Sequence, residues 1–437
     1  MRTRLRCLGR VGIGCGVIAC WFLAVSPVFG AEQDSSGATA SGATPTPAWT
    51  QSLYQGDLAG TRATLRERLR QQPGDDQARL GLAVTQLSEA IQGAAQGSYR
   101  RGLRPSSVAA QFLPMGRMGI PANPDPEPVS YNEVRDGLQA WLDALARVEA
   151  TLAEVDDESV KLPLHIGRIR LDFNGDGRAT EAESLWRAYA AGGAMGLPGA
   201  RNGDLAEQAQ SFRIVFDDAD VHWLRGYINL LMGTSEMLLA YEWEQLFRRT
   251  GHLLFARPES DYPFLLSNEG DRGFLSRWVD DIAFIHLLDL ELVEPARMKR
   301  AHEHFRATIH HSRQSWDAIL AETDDEREWI PSPEQTGVVP GVNVTPDMIE
   351  QWRRFLTEAE ALLAGETLAP FWRSGTDKGV NVRRVFTEPR GFDLVLWVQG
   401  TAAAPYLEDG EVTDPQTWQR FQQAFGGRFF SFAIWFN

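Results

Sequence analysis

Hydrophobic positions recur at intervals of three and four residues along most of the chain, which is the spacing of one helix face. The clearest apolar stripes contain Trp141, Trp278 and Trp316. A face with a period of about 3.6 residues must be buried against something. We therefore expect the three helices that carry these stripes to pack into one helical body. An apolar content of 43% is ample for its core.

Capping signals place the ends of the helices along the chain. Ser, Thr and Asp side chains accept hydrogen bonds from the first N–H groups of a helix, and Pro or Gly stops it. The predicted helices begin at Asp57, at Asp75 or Asp76, at Ser130, at Asp217, at Asp271, at Pro295 and at Thr345, and the last of them ends at Gly365.

Beyond residue 366 the pattern changes from helical spacing to alternation. Residues 380–387 and 392–399 alternate as strands do, residues 414–425 have helical spacing, and residues 428–435 indicate a third strand. This predicts a small α+β segment that closes the helical body.

The first thirty residues have the pattern of a secretory signal. A basic start carrying Arg2, Arg4, Arg6 and Arg10 precedes an apolar run over residues 11–29, and small residues at 28–31 offer a cleavage site. Two alternatives remain open. Val17-Ile18-Ala19-Cys20 is similar to a lipobox, which would anchor the chain through a lipid on Cys20, and an uncleaved anchor helix fits the length of the run. Residues 31–48 are a flexible linker rich in Ser, Gly, Ala, Thr and Pro.

Cysteine content and charge exclude several classes of function. All three cysteines (Cys7, Cys15 and Cys20) lie in the signal segment, so the rest of the chain has no disulfide, thiolate metal site or Cys nucleophile. The formal net charge is −15. Such an acidic protein is a poor partner for nucleic acid or for an anionic membrane surface, and we expect no membrane contact beyond the N-terminal segment.

The sharpest chemical signal is the stretch from Asp172 to Glu183, which satisfies the pattern D-x-[DN]-x-[DN]-G-x5-E. Ca²⁺ takes six to eight oxygen ligands from a flexible cage, and Gly177 stands where such a loop turns sharply. The expected ligands are the side chains of Asp172, Asn174 and Asp176, the carbonyl of Arg178, Thr180 directly or through water, and both carboxylate oxygens of Glu183.

This stretch and the exiting segment over 184–189 resemble the EF-hand family, and the resemblance implies one bound Ca²⁺. The chain departs from the family in two places. Ala179 stands where the family usually has a bulky aliphatic residue that pairs with a partner loop. The entering segment 162–171 contains Pro163 and Gly167, so it is either a short helix or extended. No second loop of this pattern is present in the sequence, which favours a structural role for the ion over signal sensing.

Residues 49–97 resemble about one and a half tetratricopeptide-type units. The resemblance rests on the Gly56-Asp57-Leu58 start, the stop at Pro73 and the following Leu80-Gly81. It implies a helical segment over 49–110 that offers a surface to a protein partner. A plain helical hairpin is the alternative, because a peptide-binding array needs about three repeats and no third is visible.

Together these patterns predict a mainly α protein: a helical body with one EF-hand-type loop and a small C-terminal α+β segment. The expected divisions are a signal peptide (1–30), a linker (31–48), a tetratricopeptide-like segment (49–110), a helical core with the calcium loop (128–366) and the α+β segment (367–437). The favoured function is an exported, periplasmic or secreted calcium-binding protein that serves as a structural or interaction module of a bacterial-type cell envelope.

No catalytic motif is present in the sequence, so a non-enzyme is favoured. The alternative is an envelope hydrolase with carboxylates and histidines lining a pocket in the helical core. Its residues would be drawn from Asp217, Asp218, Asp220, His222, Asp281 and His286. The simpler interpretation of the three aspartates at 217–220 is that they cap a helix.

Overall fold

The computed structural model describes residues 45–104, 120–187, 213–267, 274–338, 344–373 and 378–424. Helices dominate these ranges, so the predicted mainly α fold is confirmed. In chain order they are α1 (Thr50–Tyr54), α2 (Leu58–Gln71), α3 (Asp76–Arg100), α4 (Tyr131–Leu152), α5 (Asp218–Ala240), α6 (Glu244–Thr250), α7 (Phe274–His286), α8 (Pro295–Ala321), α9 (Pro346–Ala364), α10 (Val382–Thr387), α11 (Leu394–Gln399) and α12 (Pro415–Ala424).

Five of the twelve described helices start at predicted capping residues. A capping side chain accepts the N–H of a residue in the first turn, which removes one unsatisfied donor. The caps are Asp57 for α2, Asp75 for α3, Ser130 for α4, Asp217 for α5 and Thr345 for α9. Gly365 ends α9 in the left-handed conformation at a φ of 73°, which costs glycine little because it has no Cβ.

Helices α5 and α8 form the centre of the molecule and pack closely along each other. Gly233 of α5 permits this approach, because a Cβ there would lie 2.7 Å from the Phe305 ring of α8. The preceding helices form a row of neighbours: α4 packs against α5, α3 against α4 and α2 against α3. Helix α9 packs on α8.

The apolar side chains form separate buried clusters. The first contains residues of helices α1, α2, α3 and α4, together with the segment around Leu171 and Phe173. These two side chains are fully buried. The second surrounds Trp316 and Trp352 where α8, α9 and α12 meet. A third joins the start of α8 to the C-terminal segment. Trp141 packs against the first cluster and Trp316 lies in the second, so two of the three predicted stripes are in the core.

The strands are short and antiparallel. β1 pairs with β2, the order β3-β4-β7 makes a second sheet, and β5-β6-β8 makes a third. Their bounds are β1 (Leu162–Leu164), β2 (Ile214–Phe216), β3 (Tyr241–Glu242), β4 (Asp289–Leu292), β5 (Ala369–Pro370), β6 (Lys378–Val380), β7 (Phe392–Asp393) and β8 (Leu407–Asp409). The first sheet leads the chain into the predicted calcium loop.

Two details of the C-terminal prediction change. Residues 382–387 and 394–399 are the helices α10 and α11, not strands, because Asn381 and Asp393 cap them. The Asn381 side chain accepts the N–H of Arg384 at 3.2 Å, and that of Asp393 accepts the N–H of Leu396 at 2.8 Å. The helix expected over 414–425 is α12, and the strand expected over 428–435 lies outside the described residues.

Helix α7 also differs from its prediction. It ends at His286, and the chain then forms β4, so the helix predicted to reach Leu292 is shorter. Its apolar stripe is exposed, with 54% of the Trp278 surface accessible. The prediction that this stripe is buried is therefore wrong.

The predicted signal segment, residues 1–30, and most of the linker lie outside the described residues. Across the described ranges, no helix combines the length and apolar character that a membrane crossing requires.

Candidate calcium site

The loop from Asp172 to Glu183 is closed by its own backbone. After a 3-10 turn (Ile166–Arg168), Arg170 forms an antiparallel bridge with Ser184. The Leu171 N–H donates to the Glu183 carbonyl at 3.1 Å, and the Leu185 N–H donates to the Ile169 carbonyl at 2.8 Å. The entering segment is thus extended, which was one of the two expected alternatives. This bridge brings the first and last predicted ligands together.

The Asp172 carboxylate lies inside the turn, where backbone N–H groups point toward it. Its Oδ1 accepts from Gly175 at 2.6 Å and from Asp176 at 3.2 Å, and its Oδ2 accepts from Gly177 at 2.9 Å. The turn needs both glycines, whose φ values are 76° and 82°. Among the described residues, Oδ2 accepts only the bond from Gly177 and keeps a second lone pair, so the turn positions the group without using all of its acceptor capacity.

Glu183 closes the other end of the loop and is buried. Its Oε1 accepts the N–H of Phe173 at 3.0 Å, next to the first ligand position. Its Oε2 accepts the N–H of Thr180 at 3.1 Å and the hydroxyl of Thr180 at 2.7 Å. A buried carboxylate is costly unless hydrogen bonds or a cation compensate for its lost hydration. The three donors hold Glu183 between positions two and nine of the loop.

Asn174 and Asp176 form hydrogen bonds within the same turn. The Asn174 Oδ1 accepts the N–H of Asp176 at 2.9 Å, and the Asp176 Oδ1 accepts the N–H of Arg178 at 2.8 Å. The Asn174 amide also donates to Asp176 Oδ2 at 3.3 Å. The predicted ligands therefore include three carboxylates and one side-chain amide oxygen, which are ligand types that Ca²⁺ prefers.

Helix α3 holds the loop from outside through two glutamines that the sequence did not single out. The Asp172 N–H donates to Gln92 Oε1 at 2.9 Å, and Gln96 Nε2 donates to the Asp172 carbonyl at 2.8 Å. Residues four apart share a helix face, so both amides reach the backbone of the same residue, Asp172. No local pattern could reveal them, because they are some 80 residues away in the chain.

Ala179, the unusual residue at the eighth loop position, packs against the turn between α1 and α2. A Cβ added to Gly56 would lie 2.2 Å from the Ala179 Cβ. A bulky aliphatic side chain at 179 would collide with this turn. The predicted loop thus packs on the N-terminal helices in the place where a paired EF-hand would have its second loop.

A second group of acids meets where α5 begins and α8 ends. Oxygens of Asp217, Glu322 and Glu328 lie within 4.8 Å of one another, close enough for one cation or for shared protons to bridge them. Burial, and after it the charge of Asp217, raises the pKa of Glu322 to about 7 and that of Glu328 to about 8. Of these three residues, only Asp217 was singled out from the sequence.

Polar neighbours surround this acidic cluster. Gln335 Nε2 donates to Glu322 Oε2 at 2.8 Å, and the Glu326 N–H donates to Glu328 Oε1 at 3.0 Å. Lys161 forms ion pairs with Asp324 and Glu326 just outside. Asp220 is buried beside Asp217, and burial raises its pKa well above the ordinary value.

The residues of the predicted hydrolase pocket are distributed as follows. Asp217 and Asp220 join the acidic cluster and form a capping box at the start of α5, as the simpler interpretation predicted. His222 Nε2 lies 3.8 Å from Asp218 Oδ2. Asp281 and His286 lie on α7, which packs against α6 and α11. The hydrolase alternative stays a prediction.

Buried histidines accompany the same helices. The His222 ring stacks on His311 at 5.9 Å, and His311 Nε2 lies 3.9 Å from Glu149 Oε1. Burial, followed by the charge of Arg225, lowers the pKa of His311 to about 3. His311 is therefore neutral at physiological pH.

Comparison of the chain with protein-family models, with curated proteins and with solved structures found no match.

Proposed function

We propose that this chain is an exported calcium-binding protein, a structural or interaction module of the cell envelope, with one EF-hand-type site formed by Asp172, Asn174, Asp176, Arg178, Thr180 and Glu183. The observation that carries the proposal is the closure of the loop. The bridge between Arg170 and Ser184 holds the Asp172 and Glu183 ends together. The remaining expected oxygen ligands lie in the turn between them.

Preorganisation of this kind supports a stabilising role for the ion. The ends of the loop are tied, Asp172 is held by α3, and Phe173 is fully buried in the first cluster. Little conformational entropy is then left to lose when the ion binds. A ligand that binds only the folded state stabilises it by about 2.7 kcal/mol at a hundred times its Kd. Ca²⁺ in the loop would link α3 to the segment that follows β1.

The test is calorimetric titration and thermal unfolding in chelator, in millimolar calcium and in millimolar magnesium. We expect one calcium per chain, with a Kd of about 0.1–1 mM if the site resembles extracellular modules. Calcium should raise the unfolding midpoint more than magnesium, which demands a tight octahedron and releases water reluctantly.

Two variants separate ligation from general charge. Glu183→Gln removes the charge of the closing carboxylate and should abolish the calcium-dependent rise. Glu181→Gln makes the same charge change at an exposed position two residues away and should keep it. Identical unfolding of the unmodified protein in chelator and in calcium, with no bound ion by calorimetry, would show that the loop is only a turn.

Export is the second part of the proposal and rests on the basic and then apolar start of the chain. Mass spectrometry of the protein recovered from cells should find an N-terminus near residues 30–32. A lipid on Cys20 would change the proposal to an anchored form, and an intact Met1 on protein in the cytosol would contradict it.

A further inference from the structure

Helix α7 presents an apolar face to solvent. The exposed surface is 54% for Trp278, 56% for Val279, 57% for Ile282 and 48% for Ile285. Together with His286, which is also exposed, these residues cover an arc of about 120° of the helix when successive residues turn by 100°. Ile282 lies at the centre of this arc both along the helix and around it.

Helix α11 packs against α7 and carries further exposed apolar residues. Its residues Val395, Leu396 and Val398 are 48%, 44% and 47% exposed. We define the α7–α11 surface as Trp278, Val279, Ile282, Ile285, Val395, Leu396 and Val398. Half-exposed side chains of this number and size present roughly 600 Å² of apolar surface, at the upper end for the largest patch on a monomer.

We propose that the α7–α11 surface binds a second copy of this chain, with α7 antiparallel to its counterpart and a two-fold axis at Ile282. In such an isologous contact, the residue n positions after the axis meets the residue n positions before it on the partner. The exposed residues of α7 are symmetric about Ile282. Ile282 meets its own copy, Val279 meets Ile285, and Trp278 meets His286.

The charges around the surface leave its apolar arc open to a second copy. Asp280 points to the opposite side of α7, where its carboxylate lies 3.2 Å from His252 Nε2. Asp281 lies at the flank of the arc, about 100° from its centre. Two copies of a chain with net charge −15 repel each other, and an arc without carboxylates is where they can approach most closely. The same net charge disfavours an anionic lipid surface.

The area is also sufficient for a dimer. A standard interface takes about 800 Å² from each partner, and a specific interface needs about 1,000 Å² in total. Two α7–α11 surfaces of roughly 600 Å² each would exceed that minimum before any polar rim is counted.

Sedimentation velocity over a concentration series from about 1 to 200 μM tests the association, with the chain starting at Ala31 so that every described residue is kept. We expect a reversible dimer. Ile282→Asp places two carboxylates at the axis and should raise the dissociation constant at least a hundredfold. Leu320→Asp is the control, since Leu320 is 43% exposed on α8 and lies outside the surface. Circular dichroism should show both variants folded.

Cysteine cross-linking tests the register, because the chain from Ala31 onward has no cysteine. Ile282→Cys should oxidise to a disulfide-linked dimer, since the axis brings the two copies of this residue face to face. Val279→Cys alone should not, because its two copies are offset by roughly 9 Å along the helices. Val279→Cys combined with Ile285→Cys should cross-link again.

A chain that stays monomeric over the whole series would overturn the proposal. So would a dimer that Ile282→Asp leaves intact, because the contact would then lie elsewhere. Co-sedimentation with neutral phosphatidylcholine vesicles tests whether the surface binds lipid instead. A monomer that sediments with these vesicles, and loses this with Ile282→Asp, would show that the surface meets lipid and not a second copy.

Discussion

At the scale of single residues, small side chains decide how the predicted calcium loop fits its surroundings. Gly175 and Gly177 adopt positive φ values inside the turn, and Gly56 does so at 82° where α1 passes to α2. The Ala179 methyl group lies against Gly56. The sequence showed Ala179 only as a departure from the EF-hand pattern. Its reason is a contact with a glycine more than a hundred positions earlier.

Gly56→Ala should destabilise the protein, because the new Cβ meets Ala179 and an L side chain is strained at this φ. We expect a loss of about 2–4 kcal/mol in the free energy of unfolding, measured with urea. Gly137→Ala is the matched control. Gly137 lies exposed within α4 with nothing within 4 Å of an added Cβ, so the change should stabilise by about 0.5–1 kcal/mol. Equal changes in the free energy of unfolding for the two variants would show that Gly56 is not in close contact with Ala179.

At the scale of elements, the sequence predicted what neighbouring residues determine. Ser130 and Glu133, three positions apart, form the expected capping box of α4, and Thr345 and Gly365 bound α9 as expected. The alternating apolar residues after 380 misled the prediction, because Asn381 and Asp393 supply caps that convert both runs into short helices. Alternation in a run of six residues fits a helix nearly as well as a strand.

Periodicity also identifies an apolar helix face without showing what covers it. The stripes of α4, α7 and α8 have the same spacing, yet Trp316 is 1% exposed and Trp278 is 54% exposed. The elements that cover a stripe are distant in sequence. For the same reason, no local pattern pointed to Gln92 and Gln96 beside the loop, or to Glu322 and Glu328 beside Asp217.

The acidic cluster makes the junction of α5 with the end of α8 sensitive to pH. A carboxyl whose pKa is raised by folding binds its proton more tightly in the folded state. It therefore contributes stability at low pH that is lost as the pH rises through the folded pKa. For Glu322 and Glu328 these values are about 7 and about 8. His311 acts in the opposite direction, since its lowered pKa costs stability as the pH falls below about 6.5.

Between pH 6.5 and 8.5 the two glutamates titrate while His311 contributes little. The urea concentration at the unfolding midpoint should therefore fall as the pH rises through this range. Glu328→Gln keeps a neutral hydrogen-bonding group and should flatten the profile, making the variant about 1–2 kcal/mol more stable than the unmodified protein at pH 8.5. Glu334→Gln, at an exposed position in the same segment, should leave the profile unchanged. A midpoint that is flat or rising for the unmodified protein would contradict these pKa values. Calcium is held constant throughout.

At the scale of the whole molecule, the buried clusters divide the helices among them. The first cluster contains the N-terminal helices and the segment that enters the predicted calcium loop. The second ties α8 to α9 and α12. Helices α5 and α8 run between the clusters and connect them. We therefore expect a single cooperative unfolding transition. Ion binding in the loop and substitutions near Trp316 should both shift its midpoint, since both act on the same central helix pair.

Replacing each of the three stripe tryptophans by alanine provides the sharpest test of this arrangement, because the same type of substitution is made at three levels of burial. Trp316→Ala empties a fully buried site and should cost about 3–5 kcal/mol. Trp141→Ala, at a partly buried site against the first cluster, should cost roughly 1–3 kcal/mol. Trp278→Ala should cost less than about 1 kcal/mol at concentrations low enough to keep copies apart, since most of its surface is already hydrated. Urea unfolding followed by circular dichroism gives the three values. If Trp278→Ala costs as much as Trp316→Ala at such dilution, the α7 face is covered within a single chain, and no surface remains there for a second copy.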